Sequence, residues 1–104
     1  MDFSQEWISS MPTAVLTLHL HLPGCASLKE KRSRIQPILA RLHREFNLSA
    51  AELDRQDAWQ DAVLGLAVIS SDADTNARTL ESVLRFVQDH YPEEQIVDHR
   101  IEFI

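Results

Sequence analysis

Ser27–Phe46 reads SLKEKRSRIQPILARLHREF. Ser27 can accept from free amides of a first helical turn, and Glu30 stands where the reciprocal capping-box partner belongs. Leu28, Ile35, Leu39, Leu42 and Phe46 recur near helical spacing, and Ile38 widens the stripe. The spacing predicts a helix with one face on a core. Pro37 opposes it locally, because it lacks an amide hydrogen and crowds the preceding turn, at about 3 kcal/mol in a helix interior. A kink, or a short distorted start followed by the main helix, is therefore expected. The segment also holds Lys29, Lys31, Arg32, Arg34, Arg41 and Arg44, six of the ten Lys and Arg residues, against only Glu30 and Glu45 of the sixteen acids. These cations form either a solubilising surface or a surface for phosphate.

Strand patterns flank this helix. In Thr13–Leu22, Ala14, Leu16, Leu18, Leu20 and Leu22 alternate with Val15, Thr17, His19 and His21. Pro23-Gly24 then turns the chain. Asn47 to about Arg55 is a weaker pattern, consistent with an edge strand, and Asp54–Asp61 is a polar connection. Ala62–Ile69, AVLGLAVI, is apolar enough for a central strand buried on both faces. Ser70, Ser71, Asp72 and Asp74 are caps for a second helix with inner residues Ala77, Leu80, Leu84, Val87 and Tyr91, widened by Val83 and stopped by Pro92. Gln95–Ile104 is a last strand. Val97, Ile101 and Phe103 form one face, and Asp98, Arg100 and Glu102 the other. His99 falls on the apolar face, where an edge position must give it solvent or a partner.

The order predicts an α+β, ferredoxin-like βαββαβ split fold. Its sheet is four-stranded and of antiparallel type, with both helices on one face. The first and third strands are expected at the centre, paired with each other in parallel. Residues 1–12 read as an N-terminal extension that docks or moves freely, and 13–104 as one domain.

Length and composition fit a single domain with a modest core: 104 residues, 44% of them hydrophobic. A formal charge of −6 argues against a generic nucleic-acid coat protein and leaves room for one local basic patch. Cys25, the single cysteine, has no intrachain disulfide partner and reads as an incidental turn residue. The first ten residues lack a basic signal-peptide region, and no apolar run reaches membrane-spanning length. A cytoplasmic chain without a membrane partner is expected.

The search for chemistry returns no catalytic residue, metal or cofactor. His19 and His21 share a strand face, and Asp98 or Glu102 on a neighbouring strand would complete a zinc ligand set. Histidines at this spacing are more often surface or interface residues. His43 and His90 lie at helical positions without a partner motif. Asp54, Asp57 and Asp61 do not match a calcium loop, and no phosphate-binding glycine loop occurs. A small enzyme would need a cleft bringing these carboxylates together with Gln56 and Trp59. No nucleophile, base and orienting group can be placed together. The uncovered sheet face lacks the aromatics of a typical single-strand RNA reader. It and the edge strands suit a homodimer or another protein partner better.

Three stretches carry a resemblance. Leu20–Pro23 ends a strand with LHLP, Ser27–Arg32 begins a helix with SLKEKR, and Asp54–Gln60, DRQDAWQ, leads into the apolar Ala62–Ile69. In this order they resemble the YlxP-like family of small bacterial proteins, domain of unknown function 503, over roughly residues 11–104. Gln56, Asp57, Trp59 and Gln60 match its second motif and are candidates for a partner site or pocket. Arg55 stands where that family often has histidine, and Pro37 and the N-terminal extension are unusual for it. The resemblance implies a ferredoxin-like domain without an established activity. Genes of this family commonly lie beside translation-initiation and ribosome-maturation genes. That context implies a translation-linked role; joined to the charge of the basic helix, it leads to the expectation of a noncatalytic protein whose helix contacts structured RNA of a ribosomal or ribosome-maturation assembly. An acidic protein is the alternative partner for the same helix.

Overall fold

The structure is a computed structural model describing residues 11–53 and 58–104. The elements are β1 (Thr13–His21), α1 (Leu28–Glu45), β2 (Ser49–Glu52), β3 (Asp61–Ile69), α2 (Ala73–His90) and β4 (Gln95–Phe103). They form one four-stranded sheet in the order β2-β3-β1-β4, the expected βαββαβ split fold with β1 and β3 at its centre. The readings of residues 1–10 lie outside the described residues.

The expected parallel pairing of β1 with β3 is corrected. The two run antiparallel, from Thr13 opposite Ile69 to His21 opposite Asp61. Each helical crossover returns the chain parallel to the strand it left, but one position further across the sheet. In the first crossover the gap is filled by β3, the antiparallel hairpin partner of the returning β2, so β3 also runs antiparallel to β1. In the second it is filled by β1, which therefore runs antiparallel to the returning β4 as well. All three pairings are accordingly antiparallel.

Alternation in β1 buries Ala14, Leu16, Leu18 and Leu20, with Leu22 just beyond. The opposite residues of β3 are Ala62, Leu64, Leu66 and Val68, and these join one core with Ile35, Ile38, Leu39 and Leu42 of α1 and Leu80, Val83 and Val87 of α2. β3 is not buried on both faces. Val63, Gly65 and Ala67 are half-buried and Ile69 is exposed, because the helices cover only the other side.

Ser27 caps α1 by accepting from the Glu30 amide at 3.0 Å. The Glu30 carboxylate accepts from the Ala26 amide at 2.8 Å, one residue before the cap. The bond from Ala26 foremost, followed by the contact with the Cys25 thiol, holds the Glu30 carboxyl below the usual carboxylate range. The helix runs unbroken through Pro37. Pro37 and Ser33 are both exposed, so the carbonyl that loses its amide partner faces water. Asp72 caps α2, accepting from the Thr75 hydroxyl at 2.8 Å and the Asp74 amide at 3.3 Å.

The facing expected for β4 holds only in its second half. A register irregularity opposite His19 and Leu20 makes Val97 an extra residue, with Asp98 opposite His19 and Ile96 opposite Leu20. Ile96, rather than Val97, packs on the core, and Val97 is exposed. His99 takes the helix side opposite Leu18 and is solvent-exposed, as the edge position requires.

Candidate nucleic-acid interface

At one end of the sheet β1 finishes, α1 begins and β3 starts. The Leu22 amide donates to the Gln60 carbonyl at 2.8 Å, and the Cys25 amide returns to the Leu22 carbonyl at 3.2 Å. The Lys31 ammonium donates to the Ala58 carbonyl at 2.9 Å. The LHLP and SLKEKR stretches thus meet the end of DRQDAWQ. Gln56 and Asp57, like Asp54, lie outside the described residues. Trp59, 51% exposed, and Gln60 are at the surface beside these anchors.

Folding separates the six cations of α1. Lys31 is 2% exposed. It lies four residues before Ile35 and seven before Ile38, on the inner face, and its Nζ is 3.1 Å from Glu52 Oε2 on the core side of β2. Glu52 Oε2 has no aligned hydrogen bond among the described residues. The contact is therefore a close charge pair, while the Ala58 carbonyl receives the directed bond. Lys31 is removed from the expected phosphate surface.

Arg34 grips buried Glu94 with both arms of its guanidinium, Nε to Oε2 at 3.1 Å and Nη2 to Oε1, and also donates to the Pro23 carbonyl at 3.0 Å. This pairing with Glu94 raises the Arg34 pKa further. Arg41 lies 5.0 Å from the centre of the Phe86 ring and 3.9 Å from Glu45. Lys29, Arg32 and Arg44 remain exposed, and no partner is seen for them among the described residues. Lys29 and Arg32 share the first turns. Arg44 is about 18 Å further along the axis and rotated by roughly a third of a turn from Arg32. The free cations therefore form one pair and one outlier. Arg32 also borders a cleft of about 360 Å³ between α1 and β2, floored by Lys31, Leu39 and Glu52.

His19 and His21 do face the open side of the sheet. His19 Nε2 is 2.8 Å from Asp61 Oδ1, and His21 Nδ1 is 3.7 Å from the same oxygen. The hydrogen bond from His19, more than any other influence, holds the Asp61 carboxyl below its ordinary range. Asp61 thus pairs with the two histidines. Asp98 stands opposite His19 on β4, yet no three-ligand metal group occurs among the described residues. Cys25 is 1% exposed, and burial, followed by its contact with Glu30, pushes its thiol pKa up. It is a packing residue. Sequence reading missed Glu52, Glu94 and Asp61 as partners, and only the inner-face spacing of Lys31 was available to signal one of these pairs.

A sequence model described as "Protein of unknown function (DUF503)" matches residues 13–101. The chain belongs to this family. It is 42% identical over 67 residues to the protein of Bacillus subtilis (strain 168) described as "Uncharacterized protein YlxP", covering 64% of this chain and 72% of that one. Among solved structures, the De novo designed protein Foldit4 matches 89% of this chain and 96% of its own, with a TM-score of 0.53 at 16% identity. That likeness concerns the fold alone. Among the described residues, no helix is long and apolar enough to cross a membrane.

Proposed function

We propose that this DUF503 protein is a noncatalytic binding protein that docks on structured RNA of a ribosomal or ribosome-maturation assembly through the start of α1. The observation that carries the reading is the exposed pair Lys29 and Arg32 in the first turns of α1, unpartnered among the described residues; the exposed Trp59 follows Ala58, whose carbonyl accepts from Lys31 of the same helix. Long cationic side chains reach backbone phosphates without reading bases. Trp59 adds a surface on which an unpaired base stacks, worth about 1–3 kcal/mol. The acidic remainder of the chain disfavours other docking orientations. The link to the ribosome rests on the gene context that the family resemblance implies.

The test compares wild type, Lys29→Ala/Arg32→Ala and Trp59→Ala by cosedimentation with ribosomal particles and by binding to isolated ribosomal RNA. Lys31 and Arg34 are left intact because both are built into the fold. The RNA reading requires both kinds of binding to be weaker in the double variant. The slope of log affinity against log salt should fall by roughly 1.4–1.8 for two lost phosphate contacts. Particle binding by a wild type with no measurable affinity for RNA would instead identify an acidic protein partner. Unchanged particle binding by the folded double variant would remove this surface from consideration.

A further inference from the structure

β4 is a long edge strand with one side already paired. Thr13 and Ile104 exchange backbone bonds, 2.8 Å from the Ile104 amide and 3.4 Å from the Thr13 amide. Ladder alternation then points the backbone groups of Glu102 and Arg100 toward β1, and those of Phe103, Ile101 and His99 outward. Among the described residues no strand pairs with this outer side. The His99 amide fits that direction, donating at 2.8 Å to the Asp98 carboxylate beside it. Phe103 and Ile104, 60% and 81% exposed, are among the large apolar side chains left in water. A free edge of this kind is a template for another strand.

We infer that the occupant is β4 of a second copy, antiparallel about a twofold axis at Ile101. Like-with-like pairing requires an isologous contact, and charge selects its register. An axis at Arg100 would oppose two guanidinium groups, and one at Glu102 two carboxylates. An axis at His99 would bring the irregularity at Val97 into the ladder. With the axis at Ile101, Arg100 of each copy faces Glu102 of the other on the open side of the sheet. On the helix side Phe103 faces His99, and Ile101 faces its own mate. The outward backbone groups of these three residues then meet as bonded pairs, about six hydrogen bonds in all. The irregularity lies beyond the paired segment. Arg100 and Glu102 are 4.0 Å apart within one chain and 78% and 59% exposed, so both can turn to the partner. The Asp98 carboxylate gives up the His99 amide to the incoming strand. Two four-stranded sheets become one continuous sheet, and the start of α1 is not part of the contact.

Sedimentation equilibrium from low-micromolar to several hundred micromolar tests this with Arg100→Glu and Glu102→Arg, each verified as folded by circular dichroism. Wild type should dimerise. Each single variant should be monomeric, because it sets like charges against one another twice. An equimolar mixture of the two variants should regain the dimer, since each then supplies what the other lacks, and the double variant carrying both changes should dimerise alone. A monomeric wild type across the range overturns the inference, and so does a dimer that either single change leaves intact. Singles that fail to dimerise in mixture would overturn the register.

Discussion

Lys31→Met is the substitution that most sharply separates this fold from a helix carrying six surface cations. Methionine keeps an unbranched stem of similar length on the inner face of α1, so the packing volume changes little. It removes the charged hydrogen bond to the Ala58 carbonyl, worth about 1.5–3 kcal/mol. It also leaves the Glu52 side chain, 14% exposed, without the ammonium 3.1 Å away. Breaking one side of a buried pair typically costs about 3–5 kcal/mol, and the partial exposure of Glu52 puts this site near the lower bound, about 3 kcal/mol. For a domain of this size that corresponds to a fall in Tm of roughly 12–24 °C. Glu52→Gln alone should cost less, about 1–2 kcal/mol, since Lys31 keeps the Ala58 carbonyl. Lys31→Met/Glu52→Leu, which removes both charges, should be more stable than Lys31→Met yet remain below wild type, because the Ala58 carbonyl still lacks its donor.

Urea unfolding of these four proteins at neutral pH measures the cycle. A surface lysine would change stability by no more than about 0.5 kcal/mol. If Lys31→Met lies within that range, or if the double variant is no more stable than Lys31→Met, the pair does not hold the cleft floor and the argument fails. RNA binding gives an independent check. At a temperature where Lys31→Met is folded, its affinity for ribosomal RNA should equal that of wild type, because Nζ is spent inside the protein.

Two further outcomes follow from named contacts. The Asp61 carboxyl is held low chiefly by His19, so its contribution to stability is complete above the ordinary aspartate pKa of about 4 and is lost as pH falls through the lowered folded value. Asp61→Asn should therefore be less stable than wild type at pH 6 and lose less on going to pH 3 in urea melts; equal losses would show that His19 does not stabilise the charge. Gly24 turns the chain with φ +72°, and an added Cβ meets nothing within 4 Å, so Gly24→Ala should cost about 1 kcal/mol from backbone conformation alone; an unchanged unfolding midpoint would contradict that account.

Alternation and helical spacing were enough to order the six elements, because a two-residue or 3.6-residue period states which side chains share a face. The period says nothing of strand direction, and the β1–β3 pairing was misread for that reason. It also cannot foresee an inserted residue: in β4, the irregularity at Val97 exchanges the roles of Val97 and Ile96. Charge was the least legible property. Lys31 sits at the spacing of Ile35, Ile38 and Leu42, yet its partners Ala58 and Glu52 become neighbours only once β2 lies beside α1. Arg34 and Glu94 are sixty positions apart and meet through the turn that follows α2. The fold thus engages Lys31, Arg34 and Arg41 in contacts of its own and leaves Lys29, Arg32 and Arg44 exposed, without a partner among the described residues. This partition has a measurable consequence for RNA docking. Six phosphate contacts would give a log–log salt slope of roughly −4 to −5, whereas the three available cations limit it to roughly −2 to −3. A slope within the smaller range fits docking through the start of α1, with Arg44 reaching one more phosphate. A slope in the larger range would require cations from outside α1 and would place the RNA on a different surface.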